Sequence, residues 1–303
     1  MPRKYEYSDI LGWSVSRSDF FYQCKRQYFY QYYSKYVQTH PVEKIKVLRS
    51  LTSVPLEVGK VVHGGIARII SGPLKHGRTQ DTQPKAVAEG RVKVMKTALG
   101  SKNFIEDYYP QYPKDKKTEV ESGLQKIRTS ILQFFSSKWY SFLKDCTDEL
   151  KRGWVIEPQD FGECRIGGLK AYCKVDFAFP DGKDGYYVLD WKTGKVDETK
   201  HKAQMLGYIF YAMDQFPVSA EKVTPLVIYL GSDYNELTIT GERDLENFRE
   251  KVKSETEEMY NYCADVDKNI PLGEDKFERT SNTSFCAYCN FQEICSKSNL
   301  FES

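Results

Sequence analysis

The middle of the chain contains the sequence Tyr186-Tyr187-Val188-Leu189-Asp190-Trp191-Lys192. Its β-branched and aromatic residues, which follow a turn signal at Asp181-Gly182, predict a strand. Because side chains alternate along a strand, Asp190 and Lys192 are expected on one face and Leu189 and Trp191 on the other. A carboxylate beside an ammonium group suits metal-assisted phosphodiester cleavage. The carboxylate binds a hard divalent cation, and the lysine orients the attacking water or stabilises charge in the transition state.

A second carboxylate strengthens this interpretation, since the pattern alone is more often a pair of solvated charges. Asp176 ends an apolar segment that we predict to form the preceding strand. If the turn at Asp181–Gly185 joins antiparallel strands, Asp176 comes near Asp190. Two such carboxylates repel each other unless a cation lies between them. The alternative is a buried salt bridge between Asp176 and a lysine.

Hydrophobic periodicity predicts an α/β domain in which a small sheet is flanked by helices. A tight turn at Gly167-Gly168 should join two strands of this sheet. The predicted strands are Glu157–Ile166, Leu169–Phe179, Tyr186–Lys192, Pro225–Leu230 and Glu236–Thr240. The predicted helices are residues 16–36, with a capping-box-like Ser16 and Asp19, residues 56–71, Glu119–Leu150, Thr199–Met213 and Arg243–Cys263. We predict one domain over residues 1–303, with a helical insertion at 64–150 and a polar, cysteine-rich tail at 276–303.

The composition of the 303 residues is typical of a soluble globular protein, with 28% charged and 40% hydrophobic residues. The net charge is only +2, so contact with nucleic acid would have to come from local basic patches. No stretch approaches the roughly 20 apolar residues that span a bilayer. The N-terminal sequence MPRKYEYSDILGW has no apolar signal core, which predicts a cytoplasmic protein without a membrane partner.

Two further motifs flank the predicted site. Upstream, Gly59 and His63 lie four residues apart on a predicted helix, although a lone helical histidine is more often structural. Downstream, Gln204 and Tyr208 lie four apart and therefore share one helix face. The order Gly59-x3-His63, then Asp176, then Asp190-x-Lys192, then Gln204-x3-Tyr208 resembles the RecB-like branch of the PD-(D/E)XK nucleases.

This resemblance implies a restriction-endonuclease-like central mixed sheet flanked by helices, and it assigns roles to the motif residues. His63, Asp176 and Asp190 would bind Mg²⁺ or Mn²⁺, with the Trp191 carbonyl as a backbone ligand. Lys192, Asp190 and Asp176 would be catalytic. Gln204 and Tyr208 would support the site and touch DNA. The implied function is a metal-dependent DNA exonuclease acting on DNA ends or single strands, in CRISPR adaptation or in phage or host recombination and repair.

The eight cysteines point to a second site, because disulfides are unexpected in a protein without a secretion signal. Cys286, Cys289 and Cys295 supply three thiolates from one short segment. The N-terminal segment around Cys24 resembles the iron-staple nucleases, which include the AddB subunit of a recombination helicase–nuclease and the CRISPR-associated adaptation nucleases. This resemblance implies that Cys24 is the fourth ligand of a [4Fe-4S] cluster.

Two observations temper the iron–sulfur assignment. Lys25 stands where a proline commonly follows the first cysteine in that group. A zinc ion bound by the same four thiolates is the alternative, because ligand type does not separate the two. The other cysteines have no partner at motif spacing and are predicted to be buried small hydrophobic residues; they are Cys146, Cys164, Cys173 and Cys263.

The sequence leaves three classes of function open. The first is a nuclease, with DNA and other recombination or CRISPR adaptation proteins as partners. The second is a non-catalytic DNA-binding or assembly module that kept the fold and the cluster. The third is a small cytosolic metalloprotein that uses its cysteines for redox sensing. The intact Asp176, Asp190 and Lys192 favour the first over the second.

Overall fold

The computed structural model describes residues 3–79, 82–157, 162–231, 235–238 and 242–295. It confirms the predicted α/β class, with a central mixed sheet between two layers of helices. The strands are β1 (Val155–Ile156), β2 (Glu163–Ile166), β3 (Leu169–Tyr172), β4 (Phe177–Pro180), β5 (Tyr186–Lys192), β6 (Val223–Tyr229), β7 (Asn235–Thr238), β8 (Cys263–Asp265) and β9 (Ile270–Pro271). The helices are α1 (Val15–Gln23), α2 (Lys25–Tyr32), α3 (Val42–Ser50), α4 (Val54–Ile69), α5 (Pro84–Ser101), α6 (Ile105–Tyr108), α7 (Lys116–Ser136), α8 (Lys138–Asp145), α9 (Asp148–Arg152), α10 (Glu198–Gln215) and α11 (Glu242–Tyr260).

Strand β5 lies at the centre of the main sheet, whose order in the described residues is β1-β4-β5-β6-β7. β4 runs antiparallel to β5, whereas β6 runs parallel to it. A parallel neighbour needs a crossover connection, and α10 provides it between β5 and β6. The site residues of β5 and α10 therefore belong to one strand–helix–strand unit.

The two faces of the sheet pack against different helices. Leu189 and Trp191 lie in a core shared with residues of α4, α5 and α7. Val188 lies in the other core, together with residues of α1, α2 and α10. The expected alternation along β5 is therefore confirmed, and it directs Asp190 away from the α4 layer and toward α10.

The long strand predicted at Leu169–Phe179 is wrong, because the chain forms two strands there. β3 pairs with β2 across the predicted turn, where Gly167 and Gly168 both have positive φ of 58° and 83°. β3 also bonds to Trp13, whose N–H donates to the Lys170 carbonyl at 2.9 Å. β4 instead pairs with β5, and one straight strand cannot serve both sets of partners. The chain therefore breaks at residues 173–176, and Asp176 precedes β4 instead of ending a strand.

Other predicted boundaries also shift. Of the strand predicted at Glu157–Ile166, residues 158–161 lie outside the described residues, and β2 begins at Glu163. Of the strand predicted at Glu236–Thr240, residues 239–240 lie outside them. The helix predicted at Glu119–Leu150 is three helices, because Ser137 and Thr147 cap new ones.

The N-terminal helix predicted at residues 16–36 is also divided. Ser14, not Ser16, caps α1 by accepting a hydrogen bond from the Arg17 N–H at 3.1 Å. Cys24 then has an extended backbone with φ of −163°, which separates α1 from α2. The chain folds back at Cys24 instead of continuing as one helix. Within the described ranges, no helix is long and apolar enough to cross a membrane.

Candidate active site

Asp190 is buried on the α10 side of β5, with 4% of its side chain exposed. Its Oδ1 accepts hydrogen bonds from Gln204 Nε2 at 3.0 Å and from the Tyr208 hydroxyl at 2.5 Å. The Lys192 ammonium lies 2.5 Å from Oδ2. Lys192 follows Asp190 by two residues, so the strand itself puts both groups on one face.

Asp176 lies across from Asp190, as the register of the sheet requires. Phe177 pairs with Leu189, so the register carried one residue further puts Asp176 opposite Asp190. Side chains at such positions have Cβ atoms about 5 Å apart. Asp176 Oδ2 accepts the Trp191 backbone N–H at 2.8 Å. The sequence analysis did not identify this donor, since only the pairing register reveals it.

His63 reaches the same place from helix α4, in the opposite layer. Ser53 caps this helix by accepting a hydrogen bond from the Leu56 N–H. His63 Nδ1 lies 3.0 Å from Asp176 Oδ1. Gly59, one turn earlier, does not need to be glycine for steric reasons, because an added Cβ would come no nearer than 3.7 Å to Thr193 Oγ1.

Gln204 and Tyr208 support Asp190 from α10. They lie one turn apart and hydrogen bond to each other as well as to Asp190. Tyr208 is 1% exposed, and burial and the Asp190 charge raise its pKa well above the ordinary value. The phenol therefore stays protonated and donates to the carboxylate. DNA contact by these two residues stays a prediction.

The two carboxyl groups have opposite electrostatic surroundings. Burial and the neighbouring Asp176 charge raise the pKa of Asp190, despite Lys192. Burial also acts to raise the pKa of Asp176, but His63 and the Trp191 N–H outweigh it and hold that pKa below its usual range. Burial lowers the pKa of His63, but Asp176 outweighs this effect and the pKa is raised. Perturbed pKa values of this kind cluster at functional sites.

The donor set is chemically suited to a hard divalent cation. It contains two carboxylates and an imidazole, and the only partner that the described residues give Asp190 Oδ2 is the Lys192 ammonium. Among all the residues that the structure describes, the cysteines included, no three His, Cys, Asp or Glu side chains are arranged to hold a metal ion. The side chains turn to partners in the chain instead: His63 to Asp176, and Lys192 to Asp190. A bound cation would have to replace Lys192 beside Asp190.

The four predicted cysteine ligands line one cavity, separate from the candidate active site. Cys24, Cys286, Cys289 and Cys295 surround it together with Phe285 and Phe291. Burial raises the pKa of the Cys289 thiol to about 12, and the other three thiols, which are its electrostatic neighbours, add to the shift. The remaining cysteines match their prediction in part: Cys146, Cys164 and Cys173 are buried, whereas Cys263 is half-buried.

The comparisons with known proteins were made for the whole chain. The family model described as the PD-(D/E)XK nuclease superfamily matches residues 12–296. A solved structure titled "Crystal structure of SSO0001" is 18% identical, with 60% of this chain and 78% of that chain covered and a TM-score of 0.31. No curated protein matches the chain.

Proposed function

The chain belongs to the PD-(D/E)XK nuclease superfamily, and from this we propose that it is a divalent-metal-dependent deoxyribonuclease. The observation that carries the proposal is the convergence of Asp176, which directly precedes β4, with Asp190 and Lys192 of β5. His63 adds a ligand from the opposite layer. A buried salt bridge alone would need one carboxylate for one lysine, whereas here two carboxylates meet.

Each residue has a role that follows from its contacts. His63, Asp176 and Asp190 would hold Mg²⁺ or Mn²⁺, with the Trp191 carbonyl as the predicted backbone ligand. A cation held there supplies positive charge to the phosphate that is cleaved. Lys192 would leave Asp190, at 2.5 Å, and donate hydrogen bonds to the attacking water or to the phosphate oxygens. Gln204 and Tyr208 keep the Asp190 carboxylate in one orientation.

The finer assignments rest on the resemblance to RecB-like nucleases. We propose exonuclease action on DNA ends or single strands, in CRISPR adaptation or in recombination and repair. We also propose one nuclease domain, in which residues 64–150 are an insertion and residues 276–303 are a tail held to Cys24. The ordered motifs from Gly59 to Tyr208 support these assignments.

We further propose that the four cysteines bind a [4Fe-4S] cluster, with zinc as the alternative. The shared cavity supports this, because all four cysteines line one space between chain segments far apart in sequence and the other three thiols are electrostatic neighbours of Cys289. The tail also docks on α2 without the cysteines: the Arg26 N–H donates to the Glu278 carbonyl at 3.0 Å, and Tyr30 donates to Glu274 at 2.8 Å. A cluster would lock a contact that already exists.

The test is cleavage of end-labelled single- and double-stranded DNA with Mg²⁺, with Mn²⁺ and with a chelator. Wild type should cleave only with metal, and Lys192→Ala should not cleave. Lys183→Ala is the matched control, because Lys183 is exposed in the turn at the far end of the same strand pair. DNA binding without cleavage under any metal would favour the non-catalytic module instead.

A further inference from the structure

An open groove of about 560 Å³ adjoins the catalytic centre and extends to the N-terminal helix. Gln204 and Tyr208, which hold Asp190, form one wall of the groove. Ser14, Ser16 and Arg17 at the start of α1 form the other wall. The floor includes the chain break between β3 and β4, where Lys174 lies. The groove therefore lies next to the two side chains, Gln204 and Tyr208, that hydrogen bond to Asp190.

Two cations, Arg17 and Lys174, line this groove. Lys174 is exposed and lies two residues before Asp176. Two residues of chain span at most ~7 Å, so the Lys174 backbone is close to the catalytic carboxylate. Asp19 also lines the groove and is its acidic member. The groove thus has more positive than negative charge, next to a site for phosphodiester chemistry.

Arg17 is held in a fixed position. Its Nη1 donates to the Gly12 carbonyl at 2.8 Å, and its guanidinium lies 4.4 Å from the centre of the Tyr32 ring. A guanidinium carries five N–H donors, so donors remain for a ligand. Because the side chain is already ordered, binding an anion costs little further conformational entropy.

An aromatic ring makes the groove suited to a single strand. Tyr172 lines it and is partly exposed, whereas the Tyr32 ring is covered by the Arg17 guanidinium and positions that side chain. The Tyr172 ring packs directly on the backbone at Gly12, where an added Cβ would come within 2.4 Å of Cε2. Bases of an unpaired strand stack on such rings while cations contact the phosphates.

We propose that Lys174 and Arg17 bind the phosphate next to the one that is cleaved, so that the groove between α1 and the β3–β4 break holds one side of the cut strand. This inference rests on the proposed nuclease function. It assigns to the N-terminal helix a direct part in substrate binding.

The experiment compares Lys174→Ala with Lys183→Ala in binding a short fluorescent single-stranded DNA in chelator. Lys174→Ala should weaken binding about fivefold and lower the slope of log K against log salt by ~0.7, the value for one phosphate in a single strand. Lys183→Ala should change neither quantity. In cleavage, Lys174→Ala should raise KM and leave kcat unchanged, because it removes binding that is equal in ground and transition states.

A neutral methylphosphonate moved along the strand identifies the phosphate. With the neutral linkage at one position next to the cut, wild type should bind the DNA more weakly than it binds the unmodified strand. Lys174→Ala should bind both strands equally. Arg17→Lys, which keeps the charge and gives up the guanidinium contacts, should show a smaller loss at that same position.

The possible failures are distinguishable. Equal binding by Lys174→Ala and Lys183→Ala, with cleavage by wild type intact, would overturn the groove assignment and leave the nuclease function standing. Binding that depends on Lys174, in a protein that cleaves nothing, would reject the nuclease function and retain the groove.

Discussion

The candidate active site and the cysteine cavity are assembled in different ways. At the candidate active site, Asp176 directly precedes β4, Asp190 and Lys192 belong to the neighbouring β5, and each has a defined partner in the chain. At the cavity, Cys24 and the segment Cys286–Cys295 come from opposite ends of the chain and share a space. The first arrangement is fixed by strand register, and the second by packing of the tail on α2.

Because of this difference, we expect substitutions in the strand site to change mainly cleavage, and substitutions in the cysteine cavity to change mainly the free energy of unfolding. Removal of the Lys192 ammonium should alter cleavage and leave the fold intact, because Lys192 is the last residue of β5 and its side chain is partly exposed. Changes in the cysteine cavity should lower stability first, because the proposed cluster would reinforce the contact between the tail and α2. The predictions below test this separation.

The largest effect is expected for Lys192→Ala. Its ammonium is the only side-chain cation described within ion-pair distance of Asp190, at 2.5 Å. Loss of a group that stabilises transition-state charge typically costs on the order of a hundredfold or more in kcat. Single-turnover cleavage measures the loss, and thermal unfolding should stay near that of wild type. Cleavage by Lys192→Ala at the wild-type rate would show that the strand site does not carry the chemistry assigned to it.

Cys24→Ala should lose the cluster and stability together. Protein prepared without oxygen should be brown, with iron and sulfide in equal amounts, and the variant should be colourless. Removing a cross-link across a long loop costs on the order of 3 kcal/mol of unfolding free energy, as for a disulfide. Cys146→Ala is the control, since Cys146 is buried outside the cavity. Stoichiometric zinc in a colourless wild type, or a full cluster in Cys24→Ala, would reject the iron–sulfur assignment while leaving the strand site untouched.

His63→Ala should weaken metal binding more than it weakens chemistry. The imidazole is one predicted ligand among several, and it also pairs with Asp176 at 3.0 Å. The metal concentration for half-maximal cleavage should rise, and Mn²⁺ should restore more activity than Mg²⁺, because it accepts nitrogen ligands more readily. An unchanged metal titration would make His63 a packing residue of α4.

The sequence predicted the positions of Asp176, Asp190 and Lys192 relative to one another because the information for their placement is local. Side-chain alternation placed Asp190 and Lys192 on one face, and a short turn brought Asp176 opposite Asp190. The break at residues 173–176 could not be predicted, since it arises from pairing of β3 with Trp13. The break of the N-terminal helix at Cys24 also escaped, because a helical pattern continues on both sides of it.

The groove escaped for the same reason. Arg17 and Lys174 are far apart in sequence, and no motif joins them: the Ser16-Arg17-Ser18 segment contributes to the resemblance to the iron-staple nucleases, and Lys174 belongs to no motif. They line one surface only because the β2–β3 hairpin packs beside the start of α1. Basic residues that appear isolated in a sequence are therefore poor guides to a binding surface, whereas acidic residues within a strand pattern are good ones.

The smallest effect is expected for Tyr208→Phe, and it tests how the strand site is held. The hydroxyl donates to Asp190 Oδ1 at 2.5 Å, and Gln204 donates to the same oxygen at 3.0 Å. Either donor can hold the carboxylate in place. A hydrogen bond to a charged group is worth ~1.5–3 kcal/mol in total, and one donor remains, so kcat in Tyr208→Phe should fall less than about tenfold. Gln204→Leu should behave similarly. The double variant should lose more than the product of the two single effects, with a coupling of about 1 kcal/mol. Strictly multiplicative effects would mean that the two donors act independently, and Asp190 would then be oriented by β5 and Lys192 alone.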